Sequence, residues 1–374
     1  MLYREFGRTG IKISSLGFGA MRLPQTQIDG KDVYDTETSI QIIHKAFESG
    51  VNYIDTAPYY CDKESEVIVG KALKGWRDKV YLSTKNPIES NSGKDWRERL
   101  ENSLIKLDTE YIDFYHMWGI SWKAYEESID VPSGPLQEAL KAKEEGLIRH
   151  LSFSFHDKPE NMFKIIDTGY FESVLCQYNL LDRSNEEAIA YAHEKGLGVV
   201  IMGPIGGGRL GTPSQVIQGL VPGGVKSSPE IALRFVLANP NVSCALSGMG
   251  SMDMVTENIE VASRDYHLTE DEVSKIAQSM EENRKLAELY CTGCNYCMPC
   301  PSEVNIPLNF QLMNYNKVYN LKDYAKNEYD KIGINEWMPG KKASECIDCG
   351  VCETKCPQKI QIRKQLKETA EAFK

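Results

Sequence analysis

Residues 51–85 read VNYIDTAPYYCDKESEVIVGKALKGWRDKVYLSTK, and the order of elements in this stretch decides the fold. Two short β-rich runs, Val51–Asp55 and Val80–Lys85, flank a helical stretch. A strand, a helix and a second strand in this order form the unit from which parallel sheets are built, because parallel neighbours need a long crossover connection. The stretch therefore predicts an α/β architecture.

The same alternation runs through the whole chain before Cys291. Most of the predicted strands are short and apolar, as strands covered on both faces must be. Eight strand–helix units in about 285 residues fit a TIM (β/α)8 barrel better than a doubly wound sheet. The predicted strands are Leu16–Ala20, Val51–Asp55, Val80–Lys85, Tyr111–Trp118, Arg149–Ser154, Ser173–Gln177, Gly198–Gly203 and Ser243–Gly248.

Some segments fall outside these units. Tyr3–Phe6 and Ile11–Ser14 are predicted to form a hairpin that plugs the bottom of the barrel. The insertion Gln25–Asp35 and the stretch Ser121–Ser133 are predicted to be loops that shape specificity.

The cysteines divide the chain, because eight of the 11 lie between residues 291 and 356. They form two runs of four, each followed by a proline, and the second run has the C-x-x-C-x-x-C-x-x-x-C-P spacing typical of thiolates that hold [4Fe–4S] clusters. The first run is one residue shorter before its last cysteine. We therefore predict two [4Fe–4S] clusters, with ligands Cys291, Cys294, Cys297, Cys300, Cys346, Cys349, Cys352 and Cys356.

Disulfides and zinc are the alternatives for these cysteines. A disulfide framework suits small secreted domains, and residues 1–12 carry charges that interrupt any signal-peptide core. Zinc needs four ligands in two pairs, whereas these runs continue at short spacing. Iron–sulfur clusters fit better, so the predicted domains are a barrel over 1–285 and a mainly helical, ferredoxin-like domain over 286–374.

The overall composition excludes several classes of protein. The 374 residues are 41% hydrophobic and carry a formal net charge of −10, which disfavours nucleic acid or an anionic membrane as a partner. The longest apolar stretches, such as Leu197–Met202, are too short to span a membrane. These properties predict a cytoplasmic protein that acts on a small-molecule substrate.

Candidate catalytic residues lie where three predicted strand ends meet, at the carboxyl-terminal mouth of the barrel. Asp55 ends the second predicted strand, Tyr60 follows five residues later, and Lys85 ends the third. A tyrosine exchanges protons poorly at neutral pH unless a cation lies beside it, and Lys85 can provide that charge. Each residue alone is more simply explained by packing or a surface ion pair, but together they favour an active site.

These residues resemble the aldo/keto reductase superfamily, through Asp55-Thr-Ala-Pro-Tyr-Tyr60, Thr84-Lys85 and Gln177-Tyr178-Asn179. The tail from Tyr290 to Pro301 looks like the subgroup of these reductases with a ferredoxin-type C-terminal region. The resemblance implies that Asp55, Tyr60 and Lys85 act with a histidine, Tyr60 being the general acid in carbonyl reduction by a nicotinamide hydride.

The family histidine lies five residues after the aspartate of the fourth strand, and Trp118 occupies that position here. His116 lies two residues earlier on the same face of the strand, about 6.6 Å deeper. His116 is therefore a candidate for the catalytic histidine, and a purely structural histidine in the barrel interior is the alternative.

The resemblance also assigns a nucleotide site. Ser154 and Gln177 match positions that bind the nicotinamide carboxamide, and the segment from Met249 to Met254 carries no cation for the adenosine 2′-phosphate. NADPH is therefore not favoured over NADH. The remaining positions assigned to the cofactor are Met202, Gly203, Gly248 and Asn258.

Three functions remain open from the sequence. The first is an iron–sulfur aldo/keto reductase-like oxidoreductase that reduces a small carbonyl or activated double bond with NAD(P)H and Tyr60. The second is a one-electron-transfer oxidoreductase, whose clusters pass electrons from a ferredoxin or flavin to a substrate at the mouth. The third is a non-catalytic electron carrier or redox sensor, and the joint presence of Asp55, Tyr60 and Lys85 argues against it.

Overall fold

The protein is represented by a computed structural model that describes residues 1–28, 30–206, 210, 214–219, 227–264, 268–288, 291, 295, 297–356 and 360–374. The chain divides into two compact units. The first comprises Met1–Gly206 with Ala232–Leu268, and the second comprises Gly207–Ile231 with Thr269–Lys374. The boundary between these compact units differs from the domain boundary predicted after residue 285. The latter stays a prediction.

Twelve strands lie in the described part of the first unit, and eight of them form the barrel. The predicted barrel strands all correspond to observed strands and end within two residues of them. The strands are β1 (Tyr3–Glu5), β2 (Lys12–Ser14), β3 (Leu16–Gly19), β4 (Gln25–Ile28), β5 (Lys31–Tyr34), β6 (Tyr53–Asp55), β7 (Tyr81–Pro87), β8 (Ile112–Ile120), β9 (Ile148–Phe155), β10 (Ser173–Gln177), β11 (Gly198–Met202) and β12 (Cys244–Ser247).

The barrel is closed and entirely parallel. Its strands follow the order β3, β6, β7, β8, β9, β10, β11, β12 and return to β3. Apart from the hairpin between β3 and β6, strands that follow one another in the chain are neighbours in the barrel, as is usual for strands joined by short connections. All eight carboxyl ends therefore open at one mouth, which confirms the predicted TIM barrel.

The bottom of the barrel is closed by the β1–β2 hairpin, as predicted. The hairpin carries Phe6, whose ring packs edge-on against Phe114 at 4.6 Å between ring centroids. A Cβ atom on Gly198 would lie 2.6 Å from this ring, so the position has room only for glycine. The plug belongs to a buried apolar cluster, which contains Phe6, Ile13, Tyr53, Phe114, Leu175, Val200, Cys244 and Leu246.

The two predicted loops are ordered elements, and the prediction was wrong for both. Gln25–Ile28 and Lys31–Tyr34 pair as the antiparallel β4–β5 hairpin, whose strands are largely exposed. Residues 122–129 form a short helix that continues as one π-helical stretch, Tyr125–Ile129. Both segments are polar or lack clear periodicity, so hydrophobic patterning could not distinguish them from loops.

Helices separate the barrel strands, and local sequence signals mark their ends. Ser92 accepts a hydrogen bond from the Asp95 backbone N–H at the start of one helix, and Thr269 forms a capping box with Glu272 at the start of another. The helices of the first unit, including one that crosses the boundary at Ile231, are α1 (Thr36–Glu48), α2 (Ser65–Ala72), α3 (Gly93–Leu107), α4 (Trp122–Ala124), α5 (Pro135–Glu144), α6 (Pro159–Asp167), α7 (Glu186–Glu194), α9 (Ser228–Ala238) and α10 (Met252–Ser263).

The second unit is mainly helical, as predicted. Its core contains Phe310, Leu321 and Leu366, and the rings of Tyr329 and Phe373 pack at 4.7 Å. Among the described residues, no helix of the chain has the length and apolar character needed to cross a membrane. The helices of this unit are α8 (Gln215–Gln218), α11 (Glu270–Glu288), α12 (Ile306–Lys317), α13 (Lys322–Asp330), α14 (Val351–Lys355) and α15 (Ile362–Ala372).

Candidate active site at the barrel mouth

A buried ion pair stands at the mouth. Lys85 on β7 donates to the Asp55 carboxylate on β6, with 2.6 Å between Nζ and Oδ2, and both side chains are nearly inaccessible to solvent. The Lys85 ammonium also donates to the Thr56 carbonyl at 2.8 Å, and Ser83 donates to Oδ1 of Asp55 at 2.8 Å. Every charged group of the pair is thus hydrogen-bonded, which a buried pair needs in order to be tolerated.

Tyr60 lies directly against this pair. The residue begins a short turn after β6, and its half-buried ring centroid is 4.9 Å from the Lys85 Nζ atom. The sequence-predicted group of Asp55, Tyr60 and Lys85 is therefore assembled in space, although its members come from two strands and a loop.

The charges determine which of these groups carries a proton. Burial disfavours the Lys85 ammonium, but the Asp55 carboxylate and Tyr60 outweigh that effect and raise the pKa of Lys85. Burial raises the pKa of Tyr60, and the Lys85 ammonium only partly offsets the increase. At neutral pH Tyr60 is therefore a neutral phenol, which can give a proton but cannot take one.

His116 has no exposed surface. Its Nε2 atom lies 3.0 Å from the Ser83 hydroxyl, and burial, with the Lys85 ammonium second, lowers the pKa of His116 to about 3. The ring is therefore neutral and held within the barrel interior. It connects to Asp55 through Ser83 rather than facing a ligand.

Trp118 lies at the mouth, at the position where the resemblance predicts the family histidine. Its ring packs edge-on against Tyr60 at 5.9 Å and tilted against Tyr59 at 5.5 Å. An indole can donate one hydrogen bond and accept none, so it cannot replace an imidazole in proton exchange. The three rings form an aromatic wall, defined here as Tyr59, Tyr60 and Trp118.

The two predicted carboxamide ligands lie at the ends of β9 and β10. The buried Ser154 hydroxyl accepts a hydrogen bond from the Gly119 backbone N–H at 2.7 Å and keeps its own proton for another partner. The half-buried Gln177 side-chain amide makes no hydrogen bond with the residues that the structure describes, whereas its backbone carbonyl accepts from Asn185 at 3.0 Å.

The other predicted nucleotide positions are spread around the same half of the barrel. Met202 packs against the buried apolar cluster, and the carbonyl of Gly203, at the end of the same strand, accepts from Asn179. Asn258 on α10 donates to the Ser247 hydroxyl at 2.9 Å, which ties that helix to the end of β12. Gly248 directly follows this strand.

Sequence reasoning missed two residues at the mouth. Ser83 lies two positions before Lys85 on the same face of β7, so strand alternation could have found it. Arg22 follows β3 and passes over Gly248, where an added Cβ atom would lie 3.6–3.8 Å from the arginine side chain. The predicted lack of a cation between Met249 and Met254 therefore overlooks one that a different segment brings to this loop.

In the second unit, seven of the eight predicted cluster ligands belong to the described residues, and Cys294 lies outside them. Asp348 and Gly350 have left-handed backbone conformations, with φ of 60° and 75°, which turn the chain between successive cysteines. Cys297 and Cys352 are buried. Within the described residues, no three cysteine, histidine or acidic side chains are placed closely enough to hold a metal ion.

A closed parallel barrel with a buried lysine–aspartate pair beside a mouth tyrosine is the architecture of a TIM-barrel enzyme. Residues 15–218, over half of the chain, match the aldo/keto reductase family, and residues 290–360 match a 4Fe-4S dicluster domain. The chain belongs to the aldo/keto reductase family and carries a ferredoxin-type domain at its C-terminal end.

Relatives agree with this assignment over the barrel. The uncharacterized oxidoreductase YqkF of Bacillus subtilis (strain 168) is 27% identical over 316 residues, which cover 76% of this chain and 98% of YqkF. L-galactose dehydrogenase of Arabidopsis thaliana is 28% identical over 284 residues, which cover 68% and 86% of the two chains. The protein is therefore an oxidoreductase enzyme.

Solved structures lead to the same barrel. Aldo-keto reductase AKR11C1 from Bacillus halodurans, in its holo form, superposes with a TM-score of 0.64 and 28% sequence identity. The match covers 75% of this chain and 96% of that one. About a quarter of this chain thus has no counterpart in that structure.

Proposed function

We propose that the barrel mouth reduces a small aldehyde or ketone to an alcohol with a reduced nicotinamide nucleotide, Tyr60 giving the proton. The observation that carries this proposal is the neutral Tyr60 phenol packed against a buried, charged Lys85. When bound, the nucleotide supplies the hydride that forms the new C–H bond, and it leaves oxidised. Transfer of the Tyr60 proton to the carbonyl oxygen completes the alcohol.

The chain's own residues provide the electrostatics of this step. Negative charge develops on the carbonyl oxygen during hydride transfer, and a fixed cation beside the proton donor stabilises that charge. Lys85 is such a cation, because Asp55 and the Thr56 carbonyl hold its ammonium in one place. The Lys85 charge also eases the loss of the Tyr60 proton.

The carboxamide end of the predicted nucleotide site fits the cofactor. A carboxamide has one acceptor oxygen and two donor hydrogens. Ser154 can still donate its hydroxyl proton, and Gln177 offers both an N–H donor and a carbonyl acceptor at the barrel mouth. Met202, Gly203, Gly248 and Asn258 would hold the rest of the nucleotide. Arg22 brings a cation to this loop, so NADH and NADPH are both tested as the hydride donor.

The donor set of the two cysteine runs fits iron–sulfur clusters. Eight closely spaced soft thiolates suit iron and sulfide. Left-handed conformations at Asp348 and Gly350 turn the chain between successive cysteines of the second run. We propose that two [4Fe–4S] clusters are held by Cys291, Cys294, Cys297, Cys300, Cys346, Cys349, Cys352 and Cys356. They would supply one-electron redox chemistry or structural support to the second unit.

The aromatic wall favours an aromatic carbonyl as the substrate. Tyr59 is 46% exposed and Trp118 is half-buried, so both can stack against a flat ligand ring. We therefore choose 4-nitrobenzaldehyde as the probe substrate.

The test is oxidation of NADH or NADPH by anaerobically purified protein with 4-nitrobenzaldehyde. Tyr60→Phe is expected to lower kcat/KM by about 10²-fold or more, the range lost with a general acid. The control is Tyr170→Phe, which removes an exposed hydroxyl outside the mouth and leaves kcat/KM unchanged. Full activity of Tyr60→Phe would refute the mechanism.

The one-electron alternative rests on the dicluster domain. It predicts that the probe is reduced by a chemically reduced, cluster-loaded protein in the absence of any nicotinamide nucleotide. The same turnover in Tyr60→Phe would favour this alternative over hydride transfer.

A further inference from the structure

A second histidine, His156, lies at the barrel mouth. It directly follows β9, whose carboxyl end opens there with those of the other parallel strands. Its side chain is exposed, in contrast to the fully buried ring of His116. In the part of the chain that the structure describes, neither ring nitrogen of His156 makes a hydrogen bond.

The backbone of β8 makes room for this imidazole. The pairing of β8 with β9 shifts register between Met117 and Ile120, and Gly119 within the shift has φ of +62°. A Cβ atom on Gly119 would lie 3.7 Å from the Cδ2 atom of His156. The His156 ring thus lies beside the backbone that immediately follows Trp118.

The hydrogen bond from the Gly119 N–H to the Ser154 hydroxyl, 2.7 Å long, holds the two strand ends together. This bond fixes Gly119 on β8 and Ser154 on β9 relative to each other. The position of the His156 imidazole is therefore set by the backbone of these two strands. A register shift of this kind re-aims the side chains that follow it.

The surroundings of His156 connect it with the catalytic pair. The protein atoms around the mouth partly desolvate the His156 ring, and this desolvation, with the Lys85 ammonium second, lowers the pKa of His156. The ring is therefore neutral at pH 7 and has one N–H donor and one acceptor. Asp55 and Lys85 are paired with each other. His156 is thus a neutral hydrogen-bond donor that has no partner among the described residues and feels the charge of Lys85.

We propose that His156 supplies the imidazole of this active site, its N–H donating to the carbonyl oxygen of the substrate that Tyr60 protonates. The role that the family assigns to position 118 has moved to the neighbouring strand, and Trp118 packs against Tyr60 instead. This inference rests on the proposed carbonyl reduction. It predicts a carbonyl oxygen held between two donors, the Tyr60 hydroxyl and the His156 ring.

The test compares three variants of the cluster-loaded protein with 4-nitrobenzaldehyde and NADH. His156→Leu removes the donor and is expected to lower kcat/KM about 10- to 100-fold, as for a lost hydrogen bond to a developing charge. His156→Gln keeps an N–H and is expected to retain a larger share of kcat/KM. The matched control is His193→Gln on α7, an exposed histidine whose side chain makes no hydrogen bond with the residues described by the structure. It is expected to leave kcat/KM unchanged.

A second readout separates loss of the donor from disturbance of the barrel. The Kd of NADH, followed by tryptophan fluorescence, is expected to be the same in His156→Leu as in the original protein. Equal kcat/KM in His156→Leu and His193→Gln, with activity lost in Tyr60→Phe, would overturn the role of His156 alone. Activity that survives in Tyr60→Phe, or no NADH oxidation by the unsubstituted protein, would overturn the proposed reduction and this inference with it.

Discussion

The barrel mouth and the cysteine runs build their sites in opposite ways. At the mouth, Asp55, Lys85 and His156 come from β6, β7 and the end of β9, whose carboxyl ends share one rim only because the barrel closes. In the second unit, each run of four cysteines spans 10 or 11 residues of sequence, and in the second run a left-handed turn at Asp348 lies between two of the cysteines. A site built from local spacing can be predicted from sequence, whereas a site built across strands depends on register.

The difference also appears in how each site handles charge. At the mouth, the Lys85 ammonium and the Asp55 carboxylate are almost completely buried, so each charge is stable only while its partner is present. The second unit places its ion pairs at the surface, such as Arg363 with Glu353 beside the second cysteine run. Damage at the mouth should therefore be costly to the fold, and damage at a cysteine should be local.

The largest effect is expected from Cys352→Ser, which tests whether the cysteine site is local. Loss of this thiolate should remove one [4Fe–4S] cluster, about four iron atoms per chain, measured by iron and sulfide analysis. The thermal unfolding transition of the barrel should stay in place. Cys176→Ala, a buried barrel cysteine, is the control and should keep all the iron; loss of every iron atom in Cys352→Ser would contradict the proposal of two separate clusters.

The second prediction breaks the buried pair of the mouth. Lys85→Met leaves the Asp55 carboxylate buried and unpaired, so the free energy of unfolding in urea should fall by about 3–5 kcal/mol. The double variant Asp55→Asn with Lys85→Met should recover part of this loss, because no uncompensated charge remains. Lys74→Met breaks an exposed pair and should change the free energy of unfolding little. An equal loss in the two lysine variants would contradict a special cost for unpairing the buried Asp55.

The third prediction concerns the base of β10, where Glu172 contacts Lys143 at 2.5 Å and His150 at 3.1 Å. Burial opposes the charge on Glu172, but these hydrogen bonds outweigh it and lower the pKa of Glu172 to about 2. The unfolded chain then binds more protons than the folded one, so this stabilisation is complete above pH about 4.5 and is lost as the pH falls toward 2.

Glu172→Gln should therefore reduce the free energy of unfolding by about 1–3 kcal/mol at pH 7, and by clearly less at pH 3. Denaturant titrations at the two pH values measure the difference. Glu144→Gln, an exposed substitution on α5, provides the control. If the difference in the free energy of unfolding between the original protein and Glu172→Gln is the same at both pH values, Glu172 contributes packing rather than charge.

The smallest effect is expected from the exposed pair of Lys12 and Glu5 on the hairpin at the barrel bottom, whose atoms are 3.1 Å apart. Lys12→Ala should change the free energy of unfolding by less than about 0.5 kcal/mol, because water and salt screen exposed charges. Measurements at low and high salt should agree within error. A loss as large as that of Lys85→Met would remove the contrast between surface and buried pairs.

Much of this organisation could be predicted from the sequence. Strand–helix alternation predicted all eight barrel strands, and Asp55, Tyr60 and Lys85 do meet at the mouth. The exposed hairpin over 25–34 was missed because its residues carry no apolar alternation. Ser83 lies on the same face of β7 as Lys85, so strand alternation could have found it, whereas Arg22 was missed because its place over Gly248 depends on a loop that lies far away in the chain.

The amino-acid sequence by itself determined the local features of this protein. These are the strand–helix repeat, the thiolate spacing and the presence of tryptophan, not histidine, at position 118. These depend on neighbours a few residues away, where backbone geometry is regular. Only the tertiary structure decided that His116 is buried against Ser83 and that His156 stands at the mouth beside Gly119. Those positions follow from barrel closure and from one register shift between β8 and β9, which no local pattern encodes.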